Sequence, residues 1–180
     1  RAGGEAVSDL PGAPGSQERW NAIMDEQTDL ILDHGWTAIA VFPTEDSDGN
    51  YHFCYTVGRS LAGKPELIVT GMSRNAGPLF DMLINDRGDL LDAQTPGVPF
   101  HISETHTDEW MVLAPVPDDA RRKHLTMTQA QCGSDFTALQ VLWTDDEDRW
   151  PWEPGHARMQ RMAEEGDTMP VLAGDDWRPD

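Results

Sequence analysis

In 180 residues the chain carries 32 acidic and 13 basic side chains, a net charge of −19, with two cysteines and 38% hydrophobic residues. That length suits a single core held without staples, and no apolar run approaches the ~20 residues that span a bilayer. Charge of this sign repels nucleic-acid phosphates and anionic lipid heads, so direct nucleic-acid or membrane binding is not expected and a basic protein is the charge-compatible partner.

Residues 1–15 are rich in Gly, Ala and Pro and are expected to be a disordered leader without the apolar segment of a secretory signal. Ser16 is placed to cap a first helix, in which Trp20, Ile23, Met24, Gln27, Leu30 and Ile31 recur at helical spacing. His34 and Gly35 end it. Trp36–Phe42 reads as a strand stopped by Pro43, and the polar stretch Thr44–Asn50 as a turn. Apolar Tyr51, Phe53, Tyr55 and Val57 then alternate with His52, Cys54 and Thr56, which predicts the second arm of a β-hairpin. A short strand follows at Leu67–Val69.

Ser73 is placed to cap a second helix with buried stripe Ala76, Leu79, Phe80, Leu83 and Ile84, weakened or ended by Gly88. Phe100–Ser103 and Trp110–Val116 are strand candidates on either side of the polar tract Glu104–Glu109. A short helix is expected from Asp118 or Asp119 through Ala130, and a strand over Phe136–Trp143. The fold class is therefore α+β: one antiparallel or mixed sheet, with barrel-like curling as an option, and about three packed helices. Residues 16–156 form the expected single domain and 157–180 a polar, partly ordered tail.

Four groups of residues invite a chemical reading. His52 and Cys54 share a face of one strand, as a base and a nucleophile would, but a strand cysteine more commonly fills core space. His101, Glu104, His106 and Asp108 offer metal-ligand types without a recognised zinc spacing, so no metal site is expected. The strand end Tyr55, Thr56, Arg59 and Ser60, turned by Gly58, sets hydroxyls and a guanidinium where they can bond a phosphate or carboxylate. Its plainer reading is a turn with a surface charge. Trp143, Trp150, Trp152 and Glu153 form the densest aromatic and acidic group, stiffened by Pro151 and Pro154. These indoles either staple the C-terminus over the sheet edge or wall a site for a flat ligand or a basic peptide.

Phe53–Gly58, the stretch Pro65-Glu66-Leu67-Ile68-Val69-Thr70-Gly71, Leu139–Trp143 and Trp150-Pro151-Trp152-Glu153-Pro154-Gly155, together with the entry His34-Gly35-Trp36, resemble the bacterial domain-of-unknown-function family 4262 over roughly residues 20–156. The chain differs from that pattern at Lys64, where His commonly stands, and at Cys54, where Ala is usual. The resemblance implies fold boundaries and carries no agreed activity. The expected function is small-ligand binding in a cleft between the Tyr55–Ser60 loop and the Trp150–Gly155 segment. A flavin or another phosphate-bearing aromatic compound is the most concrete ligand, although no cofactor and no catalytic residue is assigned. The alternative is a non-enzymatic interaction or immunity-type protein whose acidic surface binds a basic partner. Mimicry of DNA would further require the carboxylates to line one elongated face. The two isolated cysteines fit a reduced, cytoplasmic setting.

Overall fold

The computed structural model describes residues 16–42, 51–71, 76–101, 110–145, 147–156, 171–174 and 177–179. Helix α1 spans Ser16–His34 and strand β1 Thr37–Val41; β2 is Phe53–Val57 and β3 Glu66–Thr70. A 3-10 turn, Arg59–Ala62, joins β2 towards β3. Helix α2 (Ala76–Asp81) runs into a π-helical turn at Met82–Asp86 and then α3 (Gly88–Asp92). Gly88, expected to weaken or end a helix, begins one. Strands β4 (Phe100–His101) and β5 (Trp110–Pro115) precede α4 (Asp118–His124), α5 (Thr126–Cys132) and β6 (Ala138–Trp143). The single helix expected after Asp118 breaks at Leu125, whose φ of −97° and ψ of 53° leave the helical region.

The six strands form one sheet in the order β1-β2-β3-β6-β5-β4. Every pairing is antiparallel except β3 with β6, which run parallel with Glu66 opposite Ala138. The mixed option is thus the one realised. The sheet keeps β1 and β4 as its edges, so it does not close into a barrel, and among the described residues five α-helices rather than about three accompany it. Ser73, Thr44–Asn50 and Glu104–Glu109, with the metal-ligand types Glu104, His106 and Asp108, lie outside the described residues.

Strand alternation divides the apolar side chains between two cores. Cys54, Leu67 and Val69 pack with Leu79, Phe80, Leu83 and Leu91 of the α2–α3 region. Their strand neighbours Tyr55, Val57 and Ile68 pack with Ile31, Leu125, Met127 and Phe136. Helices therefore cover both faces of β2 and β3. Within α1, Ile23, Met24 and Ile31 reach the second core, whereas Trp20 is exposed. Strand β2 is tied to α5 by specific bonds. Tyr55 Oη accepts the Met127 N–H at 3.1 Å, and Thr128 Oγ1 donates to the Thr56 carbonyl at 3.2 Å.

At the end of α4, buried His124 meets the edge of the Phe53 ring at 5.0 Å between centroids and shares a 3.2 Å hydrogen bond with the Tyr51 hydroxyl. Burial, with Lys123 adding a like charge, lowers the His124 imidazole below its ordinary 6.5. The unfolded chain therefore takes up the proton first, and stability falls as pH drops through 6.5 towards the lower folded value. Thermal unfolding of wild type and His124→Gln across pH 7.5 to 5 should show a smaller loss in the variant. Parallel curves would remove His124 as the source.

Candidate functional site

Glu66 organises the loop after β2 from inside the protein. It opens a strand whose five residues are all buried, and it is itself fully buried. A carboxylate survives there only if its lone pairs are filled. Its Oε1 accepts the Gly58 N–H at 3.0 Å, the Ser60 N–H at 2.9 Å and the Ser60 hydroxyl at 2.8 Å, while Oε2 accepts the Thr56 hydroxyl at 2.6 Å. Thr56 Oγ1 in turn accepts the Leu67 N–H at 2.8 Å. Thr56 and Ser60 are therefore committed to holding the loop. Cys132, at the end of α5, abuts the same loop, and burial pushes its thiol up despite a hydrogen bond with Ser60.

The clamp fixes the start of the 3-10 turn and with it Arg59, which is only 5% exposed. Arg59 Nε donates to the Pro65 carbonyl at 2.8 Å, and Nη2 lies 3.8 Å from Asp92 Oδ1. Lys64 Nζ reaches the other oxygen of Asp92 at 2.5 Å. Burial lowers the Arg59 guanidinium from its ordinary value, against the pull of Asp92 and Glu66. These groups border an open cleft of about 410 Å³ lined by Leu67, Leu91, Leu113, Leu139, Gln94 and Pro96. The β2–β3 loop supplies the cations and α3 the acid, and four leucines form the floor, of which Leu67, Leu91 and Leu113 are buried and Leu139 is partly exposed. Such a site presents fixed donors beside a surface that prefers a hydrocarbon or ring.

The tryptophans stand elsewhere. Because β3 and β6 are parallel, the Arg59 loop adjoins the beginning of β6, whereas the tryptophan segment leaves from its far end, roughly 17 Å away at ~3.3 Å per residue. None of Trp143, Trp150 and Trp152 lines the cleft. The expected cleft between the two segments is therefore not what the chain builds. Trp143 is buried in the sheet core. Trp150 and Trp152 stack on each other at 5.2 Å and 6° between planes, and Trp177 meets Trp152 edge-on at 5.8 Å. Arg178 lies over the Trp152 ring at 5.3 Å. Glu153 turns back within its own segment, its Oε2 accepting the Trp150 N–H at 2.5 Å.

This is the stapling arrangement. Gln140, buried in β6, extends it by accepting the Leu172 N–H at 2.7 Å while donating to Thr70 Oγ1 at 2.8 Å. Asp145, which follows β6 in an acidic stretch of the sequence, is buried and holds the turn at Glu147–Arg149. Its Oδ1 accepts the Glu147 and Arg149 N–H groups, and its Oδ2 the Arg149 Nε, all at 2.9 Å.

Of the eight residues expected from sequence to bind a ligand, only Arg59 lines the cleft; Thr56 and Ser60 position it, and Tyr55 anchors α5. Cys54 is buried and its thiol pushed up to about 12, a protonated core filler rather than a nucleophile. His52 packs its ring against Phe42, and His101 against Trp110. Among the described residues no group of three or more His, Cys, Asp or Glu is placed to hold a metal ion, and no helix is long and apolar enough to cross a membrane.

Sequence reasoning passed over Glu66 and Asp92. An acid at the head of the apolar run Leu67-Ile68-Val69 was a readable signal, because a buried carboxylate needs several donors close by. Asp92 carried no such mark.

A family model described as Domain of unknown function (DUF4262) matches residues 30–157. The chain belongs to this family. No curated protein and no solved structure matches it. The DUF4262 match spans β1 through the Trp150–Gly155 segment, so the clamped loop and the Trp150–Trp152 stack lie within the matched region, whereas Leu172, Trp177 and Arg178 lie beyond it.

Proposed function

We propose that this DUF4262 protein binds a small amphipathic anion in the Arg59 cleft, its charged head at Arg59 and Lys64 and its apolar body on the leucine floor. The observation that carries this reading is a nearly buried arginine whose side chain makes one hydrogen bond among the described residues, beside Leu67, Leu91, Leu113 and Leu139. Ordering a guanidinium away from water is costly unless an anion completes its donors. The clamp on Glu66 supports the same reading, since it holds the loop in one geometry before any ligand arrives.

A phosphate-bearing aromatic such as a flavin remains one member of this ligand class. Its aromatic half loses the support that indoles at the cleft would have lent, and its anionic half keeps Arg59. The unpaired thiols Cys54 and Cys132 support a reducing, cytoplasmic setting. The acidic-surface alternative, a basic protein partner, rests on the net charge alone and has lost Asp145 to the interior.

Native mass spectrometry of freshly purified protein, followed by calorimetric titration with hexanoate, inorganic phosphate and flavin mononucleotide, tests the proposal. At least one probe should bind wild type, and Arg59→Met should weaken it tenfold or more while circular dichroism stays native. Failure of all three probes with no retained ligand, or equal binding to the variant, would sink it.

A further inference from the structure

Asp92 already sits where a bound carboxylate would. Its two oxygens span Arg59 Nη2 and Lys64 Nζ, one carboxylate across two cations at the mouth of the cleft. The bridge is lopsided. The contact with Lys64 is a close ion pair, but the 3.8 Å contact with Arg59 is longer than a hydrogen bond, so the guanidinium is attracted without being satisfied. Arg59 is fixed by its bond to Pro65 and by the clamped turn, whereas Asp92 is 38% exposed and Lys64 47%. An exposed ion pair of long side chains contributes little to stability and exchanges readily.

Position adds to this looseness. Asp92 is the last residue of α3, where the end of the helix offers a carboxylate no N–H donor of its own. Its neighbour Leu91 is buried in the core and lines the cleft, so the backbone is anchored while the acid is not. The segment before it is a π-helical turn, Met82–Asp86, a feature frequent beside functional sites.

We infer that Asp92 is an internal stand-in for the ligand's head group, and that the ligand is a small monocarboxylate with an apolar tail that displaces Asp92 from Arg59. This deepens the proposed function and rests on the cleft being the binding site. The planar guanidinium takes a carboxylate through two parallel N–H bonds, which Asp92 at its present distance does not make. The leucine floor accepts a hydrocarbon tail where a sugar phosphate would leave hydroxyls unpaired. Displacement also makes binding self-limiting: the ligand must outcompete a carboxylate tethered at high local concentration. Removing that competitor should raise affinity, the opposite of what loss of a site residue ordinarily does.

Calorimetric titration of wild type and Asp92→Asn with hexanoate and, separately, with inorganic phosphate reads this directly, with Asp92→Ala as a second variant should the first not fold. Asp92→Asn should bind hexanoate at least tenfold more tightly than wild type, and adding Arg59→Met should abolish the gain. Hexanoate binding to wild type that is unchanged or weaker in Asp92→Asn would overturn the stand-in and leave the cleft as the site. A gain for phosphate alone would overturn the carboxylate assignment. Absence of binding in wild type and both variants would overturn the stand-in and the cleft together.

Discussion

Glu66→Ala should destabilise the protein by about 3–5 kcal/mol, a large share of the roughly 5–15 kcal/mol available to a domain. Truncation leaves the buried Gly58 and Ser60 N–H groups without an acceptor and frees the Thr56 and Ser60 hydroxyls to seek others. Each unsatisfied buried donor costs about 1–3 kcal/mol, and the hydroxyls recover part of the loss by rotating. Glu66→Gln should cost less, about 1–2 kcal/mol. Its carbonyl oxygen can replace Oε1 and keep the bonds from the loop, while its amide nitrogen meets Thr56 Oγ1, which must turn its proton elsewhere. Chemical denaturation of both variants checks the order. Equal losses would mean that charge, rather than the pattern of acceptors, holds the loop.

Gly58→Ala should be the second large loss. Gly58 precedes the 3-10 turn at φ 108°, a backbone conformation that costs a residue with a Cβ about 1–3 kcal/mol. The added carbon would also stand 3.0 Å from both Cγ1 and Cγ2 of Ile31 and 3.2 Å from the Gly35 carbonyl oxygen. Ile31 is a buried residue of α1, so the loop and helix would be pushed apart at the point where they meet. Gly35→Ala is the matched control. Gly35 has φ 79° and nothing within 4 Å of a built Cβ, so it carries the backbone cost without the crowding. Gly58→Ala should therefore unfold at a lower denaturant concentration than Gly35→Ala. The reverse order would show that the helix yields freely.

Most of the architecture was legible because it rests on local pattern. The hairpin β1–β2 follows from alternation along Phe53–Val57, and α1 from apolar spacing ended by Gly35. The parallel pairing of β3 with β6 was not legible, since it joins segments some seventy residues apart and both are mainly apolar strands that name no partner. That one pairing decides the functional geometry. It puts Arg59 and the tryptophans at opposite ends of β6, so residues read as one site became a cleft and a staple. Asp92 was missed for a related reason: an acid in a short polar helix looks solvated until the fold brings Arg59 and Lys64 to it. Asp145, in an acidic stretch of the sequence, carries no local mark of burial and is nonetheless the buried acceptor of its own turn.

The most direct measurement is nuclear magnetic resonance mapping of hexanoate on leucine-methyl-labelled protein, with the Arg59 Nε–H and the indole N–H signals followed in parallel. Shifts should appear at Leu67, Leu91, Leu113, Leu139 and Arg59 and saturate together, while the indoles of Trp150 and Trp152 stay in place. Movement of the indoles with those leucines still, or no movement at all, would contradict the cleft as the binding site.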